Sequence, residues 1–153
     1  LLKYGTAAWD PYTSCNIKVK DVEMVQRWAA RYVKRDYQRT TSVTSLLDSL
    51  HWQSLQDRRR NARLLHFFKA LHGYQGLSQL VNDLPRPTRL TRSSCVDVVA
   101  FSQLPCRTDV FKFSFLPRTV IDWNSLDTGV RGLSSLESFR QALVGGRSAA
   151  TSY

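Results

Sequence analysis

Lys20, Arg27, Arg31 and Lys34 follow one another at spacings of seven, four and three residues, and Arg59 and Arg63 stand four apart further along. Such spacing sets cations in a row on one side of a helix. A row of cations is what meets a polyanion whose phosphates repeat along one direction. Arginine dominates both rows, and its planar guanidinium grips phosphate oxygens through paired N–H donors. The surrounding charge agrees. The 153-residue chain has 22 Lys+Arg against 12 Asp+Glu, a formal charge of +10. Residues 1–75 hold 13 against 6, a net +7, whereas residues 76–153 hold 9 against 6. A charged helix face is ordinarily just solvated, but two aligned rows in the more basic half favour a phosphate-binding surface. We therefore expect Lys20, Arg27, Arg31, Lys34, Arg59 and Arg63 to contact nucleic acid; should these rows prove only solvated, the role would move to the connector arginines Arg86, Arg89 and Arg92.

Catalytic chemistries find little footing. A phosphate-cradling loop needs closely spaced glycines before a helix, then a Lys and a Ser or Thr. The seven glycines here are scattered. His66 and His72 lie six apart with no Cys near them, which is not zinc-ligand spacing. No Asp-Asp pair occurs anywhere, although two-metal phosphoryl transfer needs clustered carboxylates. Cys15, Cys95 and Cys106 form no Cys-x-x-Cys pair and leave an odd thiol, which suits a reducing compartment better than a disulfide framework. The expectation is a chain without catalytic residues, metal or cofactor.

The elements that must position the cations are helices. The first is predicted over Asn16–Arg35, capped by Asn16 or Ser14, with Val22, Val25, Ala29, Tyr32 and Val33 as its core side and the cations opposite. A short second helix over Val43–Leu50, capped by Thr41 or Ser42, is apolar at Val43, Leu46, Leu47 and Leu50. The third opens on Ser54…Asp57, a capping box with Asp in place of Glu, and stops near Gly73. Leu64, Leu65, Phe68 and Leu71 form its apolar side; Arg59, Arg63 and His66 form the other. Beyond it, Asp83–Arg89 contains Pro85 and Pro87 and reads as extended or turn backbone. Val96–Phe101 is a candidate strand. Val110–Phe115 alternates strictly, so a strand is predicted there with Phe111, Phe113 and Phe115 on one face, ended by Pro117. A short helix with Ile121 and Trp123 follows. The last helix, Ser134–Val144, opens on the capping box Ser134…Glu137 and is broken by Gly145-Gly146.

The fold class expected is therefore mainly α. A helical bundle over residues 1–75 leads to a Pro-containing connector (76–109), a small strand-plus-helix portion (110–145) and a tail (146–153). Trp28, Tyr32, Phe68, Phe111, Phe113, Phe115, Trp123 and Phe139 stand at core periodicity. Only Tyr37 and Trp52, in polar surroundings, are candidates for stacking on unpaired bases. No apolar run approaches the length of about 18 residues that a membrane span needs. The start carries no basic segment followed by an apolar one, so no secretory signal is expected. With Leu1 first and Met24 the only methionine, the chain reads as a piece of something longer.

A series of short motifs carries a resemblance across nearly the whole chain. It begins with Leu2-Lys3-Tyr4-Gly5, Trp9-Asp10-Pro11-Tyr12 and Glu23–Val33. It continues through Leu55–Arg59, Leu84–Arg89, Arg107-Thr108-Asp109, Phe115–Leu126 and Leu133–Phe139. In order and spacing these resemble the region after the polymerase palm in reverse transcriptases of jockey-like non-LTR retrotransposons (LINE elements). The resemblance implies a helical thumb and C-terminal region of an RNA-directed DNA polymerase, packed beside the primer–template. It implies nucleic acid (RNA, RNA–DNA hybrid or DNA) and the upstream polymerase domain as partners, no membrane, and an intracellular ribonucleoprotein in nucleus and cytoplasm. The family's catalytic Asp-Asp motif lies upstream of the matching region. The chain departs from the pattern at Trp28, where the family commonly has a basic residue, and at Asp127-Thr128-Gly129, where a Leu-Pro pair usually stands. The alternative is a structural module that docks on the polymerase domain without binding nucleic acid itself.

Overall fold

The computed structural model describes residues 17–74, 76, 78–87 and 100–145. Among them every regular element is a helix: α1 (Ile17–Lys34), α2 (Val43–Ser49), α3 (Leu55–Leu71), α4 (Ser78–Asn82), α5 (Asp109–Lys112), α6 (Phe115–Asn124), α7 (Thr128–Arg131) and α8 (Leu136–Gly145). The protein is mainly helical. It divides into two compact units, Leu1–Arg59 and Arg60–Tyr153, with the boundary inside α3. The second half of α3 carries Leu64, Phe67 and Phe68, which pack with downstream aromatics in one core.

The helix ends follow local rules. Ser54 Oγ accepts the Asp57 N–H at 3.1 Å and donates to the Asp57 carboxylate at 2.8 Å. The expected cap at the start of α3 thus forms, with the short Asp side chain answering the hydroxyl. The first three helices all close through a bond from the second residue past the helix cap back to the last turn: Asp36 N–H to Arg31 C=O (3.1 Å), Trp52 to Leu47 (2.9 Å) and Tyr74 to Lys69 (2.8 Å). This closure needs a left-handed residue in between. Gly73 supplies one at φ 74°, as its position suggested, but Arg35 (φ 52°) and His51 (φ 53°) supply the others.

In the first unit, α1 packs on α2 along a seam unlike the predicted one. Gln26 and Ala30 are buried, whereas Val25, Tyr32 and Val33 are more than half exposed. The reason is polar. Gln26 Oε1 accepts the first N–H of α3, from Leu55, at 3.2 Å, and its Nε2 donates to the Gln53 carbonyl at 2.8 Å. A helix start buried without such a partner would leave an unsatisfied donor. Satisfying it turns α1 so that Gln26, rather than Val25, faces inward.

The second unit holds the main core, built from Leu64, Phe67 and Phe68 of α3, Val81, Leu84, Phe101, Val120 and Trp123 of α6, and Phe139 of α8. Phe68 and Phe139 stack at 4.4 Å between ring centroids, and Phe67 meets Phe101 edge-on at 5.4 Å. Asn124 holds the extended chain at Phe101 by donating to its carbonyl (2.7 Å) and accepting its N–H (3.2 Å).

Three expectations for this half are corrected. Val110–Phe115 is not a strand: α5 ends and α6 begins within it. Thr108 Oγ1 accepts the Phe111 N–H at 3.3 Å, and the Ser114 hydroxyl donates to the Phe111 carbonyl at 2.7 Å. These local bonds outrank the alternation, and Phe111 is left 44% exposed. Pro117 does not end an element but sits in the first turn of α6, where no intrahelical N–H is needed. The last helix starts at Leu136, with Phe139 N–H on the Ser135 carbonyl (3.0 Å). Its cap position is therefore Ser135, one residue past the predicted Ser134. Of the candidate strand Val96–Phe101, residues 96–99 lie outside the described residues, and Ala100 and Phe101 are in no strand.

Candidate nucleic-acid interface

The six predicted contact residues separate into three kinds. Lys20, Arg27 and Lys34 are exposed on α1. Seven residues of helix advance about 10 Å and nearly complete two turns. The three cations therefore form a straight row about 21 Å long, parallel to the helix axis.

Arg31, in the same predicted row, is turned to the chain itself. Its guanidinium donates to the carbonyls of Gln38 (2.6 Å), Thr41 (3.1 Å) and Asp36 (3.4 Å). It fastens the segment between α1 and α2 by gathering three of that segment's carbonyls on one guanidinium.

Arg59 and Arg63 are not on a solvent-facing stripe. The Arg59 side chain is 5% exposed and paired with Glu23 of α1 at 3.1 Å. That of Arg63 is 6% exposed and paired with Asp122 of α6 at 2.7 Å, where Arg60 joins at 3.2 Å. Both charges are compensated internally, and both side chains are almost wholly buried. The wheel set them opposite Leu64 and Phe68, which is correct. What it could not register is that a carboxylate distant in sequence reaches each of them, Glu23 for Arg59 and Asp122 for Arg63. In the second group, Arg86 lies over the Phe101 ring at 5.5 Å, while Arg89 and Arg92 lie outside the described residues.

The residues missed are aromatic. Trp28 and Tyr32, assigned to the core from their periodicity, are 72% and 74% exposed. They stand one turn apart on α1, with Met24 and Val25 on the same side and the Lys20–Arg27–Lys34 row about 80–160° further round the helix. Tyr37 is exposed as expected, and Trp52 is at 37%. A signal existed: Val22, Met24, Val25, Trp28, Ala29, Tyr32 and Val33 cover about half the circumference of α1, more than the roughly 100° that one packed neighbour covers. An arc that wide leaves part of itself in water.

No protein-family model, curated protein or solved structure matches this chain. Its chemistry must be read from its own residues. Among the described residues, no three His, Cys, Asp or Glu come together in the manner of a metal site, and no helix is long and apolar enough to cross a membrane.

Proposed function

We propose that this chain is a non-catalytic, nucleic-acid-binding part of an RNA-directed DNA polymerase of the non-LTR retrotransposon kind. It holds the phosphate backbone of primer–template or element RNA on the exposed cations of α1. The observation that carries the reading is the row Lys20, Arg27 and Lys34, exposed along 15 residues of one helix. The mainly helical fold is compatible with a thumb-like region, and the ordered motifs from Leu2 to Phe139 supply the parentage. Arg31, Arg59 and Arg63 act within this reading as structural cations that hold the chain's own carbonyls and carboxylates.

The test is electrostatic. On duplex DNA, log affinity falls with log salt at a slope near −0.9 for each phosphate contacted. Reversing Lys20, Arg27 and Lys34 to Glu should weaken binding to heteroduplex and flatten that slope by about one for each lost contact. An unchanged slope in folded protein would refute the role of this row. Parentage has its own test: the reading frame upstream of the Leu1 codon should encode a polymerase palm with an Asp-Asp motif.

A further inference from the structure

α1 presents to solvent an apolar strip whose two ends answer one another. Trp28 (72% exposed), Tyr32 (74%), Val25 (60%) and Met24 (48%) form the strip, with exposed Asp21 at its N-terminal end. Among the described residues, α1 buries the seam of Gln26 and Ala30, and the strip lies on the side opposite to that seam. A hollow of about 330 Å³ opens along the strip, lined among the described residues by Asp21, Met24, Val25 and Trp28. The Lys20, Arg27 and Lys34 row lies about 80–160° round the helix from Trp28 and Tyr32, so these cations are outside the strip.

We propose that this strip pairs with the same strip of a second copy of the chain, α1 against α1, antiparallel about a two-fold axis. Three observations select that occupant. The first is reciprocity. A two-fold interface meets itself, so residue i of one copy touches residue j of the other and the reverse. The strip from Asp21 to Tyr32 is about 16 Å long, and its midpoint falls between Gln26 and Arg27. A two-fold axis there sets Asp21 of each copy across from Tyr32 of the other. The two positions stand about 20° apart round the helix, so they meet on the same side of the seam. The tyrosine hydroxyl then donates to the carboxylate, and each polar group at the edge of the strip gains a partner. A parallel pairing would instead bring the two carboxylates together. The second observation is shape. The same axis carries Trp28 of one copy opposite Val25 of the other, where the hollow between Asp21, Met24, Val25 and Trp28 receives the indole. The third is area. At their exposures, the four apolar side chains offer about 500–600 Å² per copy. Two copies therefore cover about 1,000–1,200 Å², the lower bound of a specific interface and the size of a weak, reversible one. The charge of +10 opposes the approach of two copies. Salt screens that repulsion and leaves the apolar contact in place. The dimer does not depend on whether the cation row binds phosphate.

Sedimentation equilibrium of the full chain, from about 1 to about 300 μM, reads the association directly, with helix content of every variant checked by circular dichroism. The parent should fit a monomer–dimer equilibrium with Kd on the order of 10 μM. It should be tighter at about 0.5 M than at about 0.1 M salt, the reverse of phosphate binding. Trp28→Ala should weaken the dimer at least about tenfold, because it removes the side chain that fills the hollow. Tyr32→Phe, which loses only the hydroxyl, should weaken it about threefold. Register has its own test. Tyr32→Glu sets a carboxylate against Asp21 of the other copy and should weaken the dimer about tenfold. Adding Asp21→Lys to that variant should recover about threefold, although it raises the net positive charge, because the two new charges meet across the axis. In a parallel pairing the same addition would weaken association further. A parent that stays monomeric at about 300 μM in both salts overturns the proposal and leaves the strip to some other surface. Association that Trp28→Ala does not change, or no recovery on adding Asp21→Lys, refutes it as well. So does a result in which Trp28→Ala lowers affinity for a single-stranded RNA and leaves sedimentation unchanged, which would make the strip a base-stacking face. Reversing Lys20, Arg27 and Lys34 tests the phosphate reading separately and should not weaken self-association.

Discussion

Removing one carboxylate should show that Arg63 is a structural cation rather than a ligand-binding one. Asp122 on α6 accepts from Arg63 at 2.7 Å and from Arg60 at 3.2 Å. The Arg63 side chain is 6% exposed and that of Asp122 22%, so Asp122→Ala leaves a guanidinium in the protein interior without its carboxylate. Breaking such a pair from one side costs about 3–5 kcal/mol. Arg60, at 39% exposed, adds at most about 1 kcal/mol, the value of a surface pair. Asp122 is partly hydrated, and Arg63 keeps a further interaction, so the lower end applies, about 3 kcal/mol in all. Asp122→Asn keeps an acceptor and loses only the charge, so it should cost less, about 1–2 kcal/mol.

Hydrogen exchange of α6 amides through a urea series measures the stability of this unit without assuming that both units unfold together. The companion measurement is a double-mutant cycle with Arg63→Met and Asp122→Leu. The double variant should recover much of the loss, because no charge then remains buried. Its coupling energy should be about 2 kcal/mol or more, at the upper part of the range for contacting residues. An Asp122→Ala protein within about 0.5 kcal/mol of the parent, or a coupling near zero, would refute the account. Arg63 would then be available to phosphate after all.

Other outcomes follow from the same geometry. Val25→Asp should leave the chain folded and within about 0.5 kcal/mol of the parent by urea melts, because Val25 is 60% exposed; unfolding would mean that α1 buries its apolar side. Phe139→Ala should cost about 3–5 kcal/mol, since the ring is fully buried against Phe68 and Trp123; a thermal melt unchanged by it would contradict the core. Gly73→Ala should cost about 1 kcal/mol, purely from the left-handed backbone, because nothing lies within 4 Å of the added methyl group. Arg35→Gly should instead stabilise by up to about 1 kcal/mol, as Arg35 holds φ 52° without being a glycine; a loss of stability there would mean that its side chain matters more than its backbone.

The features legible along the chain are mostly local. The spans of α1, α2 and α3 came from apolar spacing, and the cap at Ser54 and the turn at Gly73 came from residue chemistry that acts within one helical turn. Such features are legible because both partners sit a few residues apart in the chain. The charge imbalance and the alignment of Lys20, Arg27 and Lys34 were equally readable, since a helix surface follows directly from its period.

Which side of each helix meets solvent was decided only by tertiary structure. Arg59 and Arg63 carry the same pattern as the α1 row, yet Glu23 and Asp122 arrive from residues far away in sequence and remove them from the surface. Trp28 and Tyr32 carry the pattern of a core, yet α1 turns the Gln26–Ala30 seam inward because the Gln26 amide caps the start of α3. Periodicity reports that a helix has distinct sides. Which of them is buried depends on where the neighbouring elements need their polar groups satisfied.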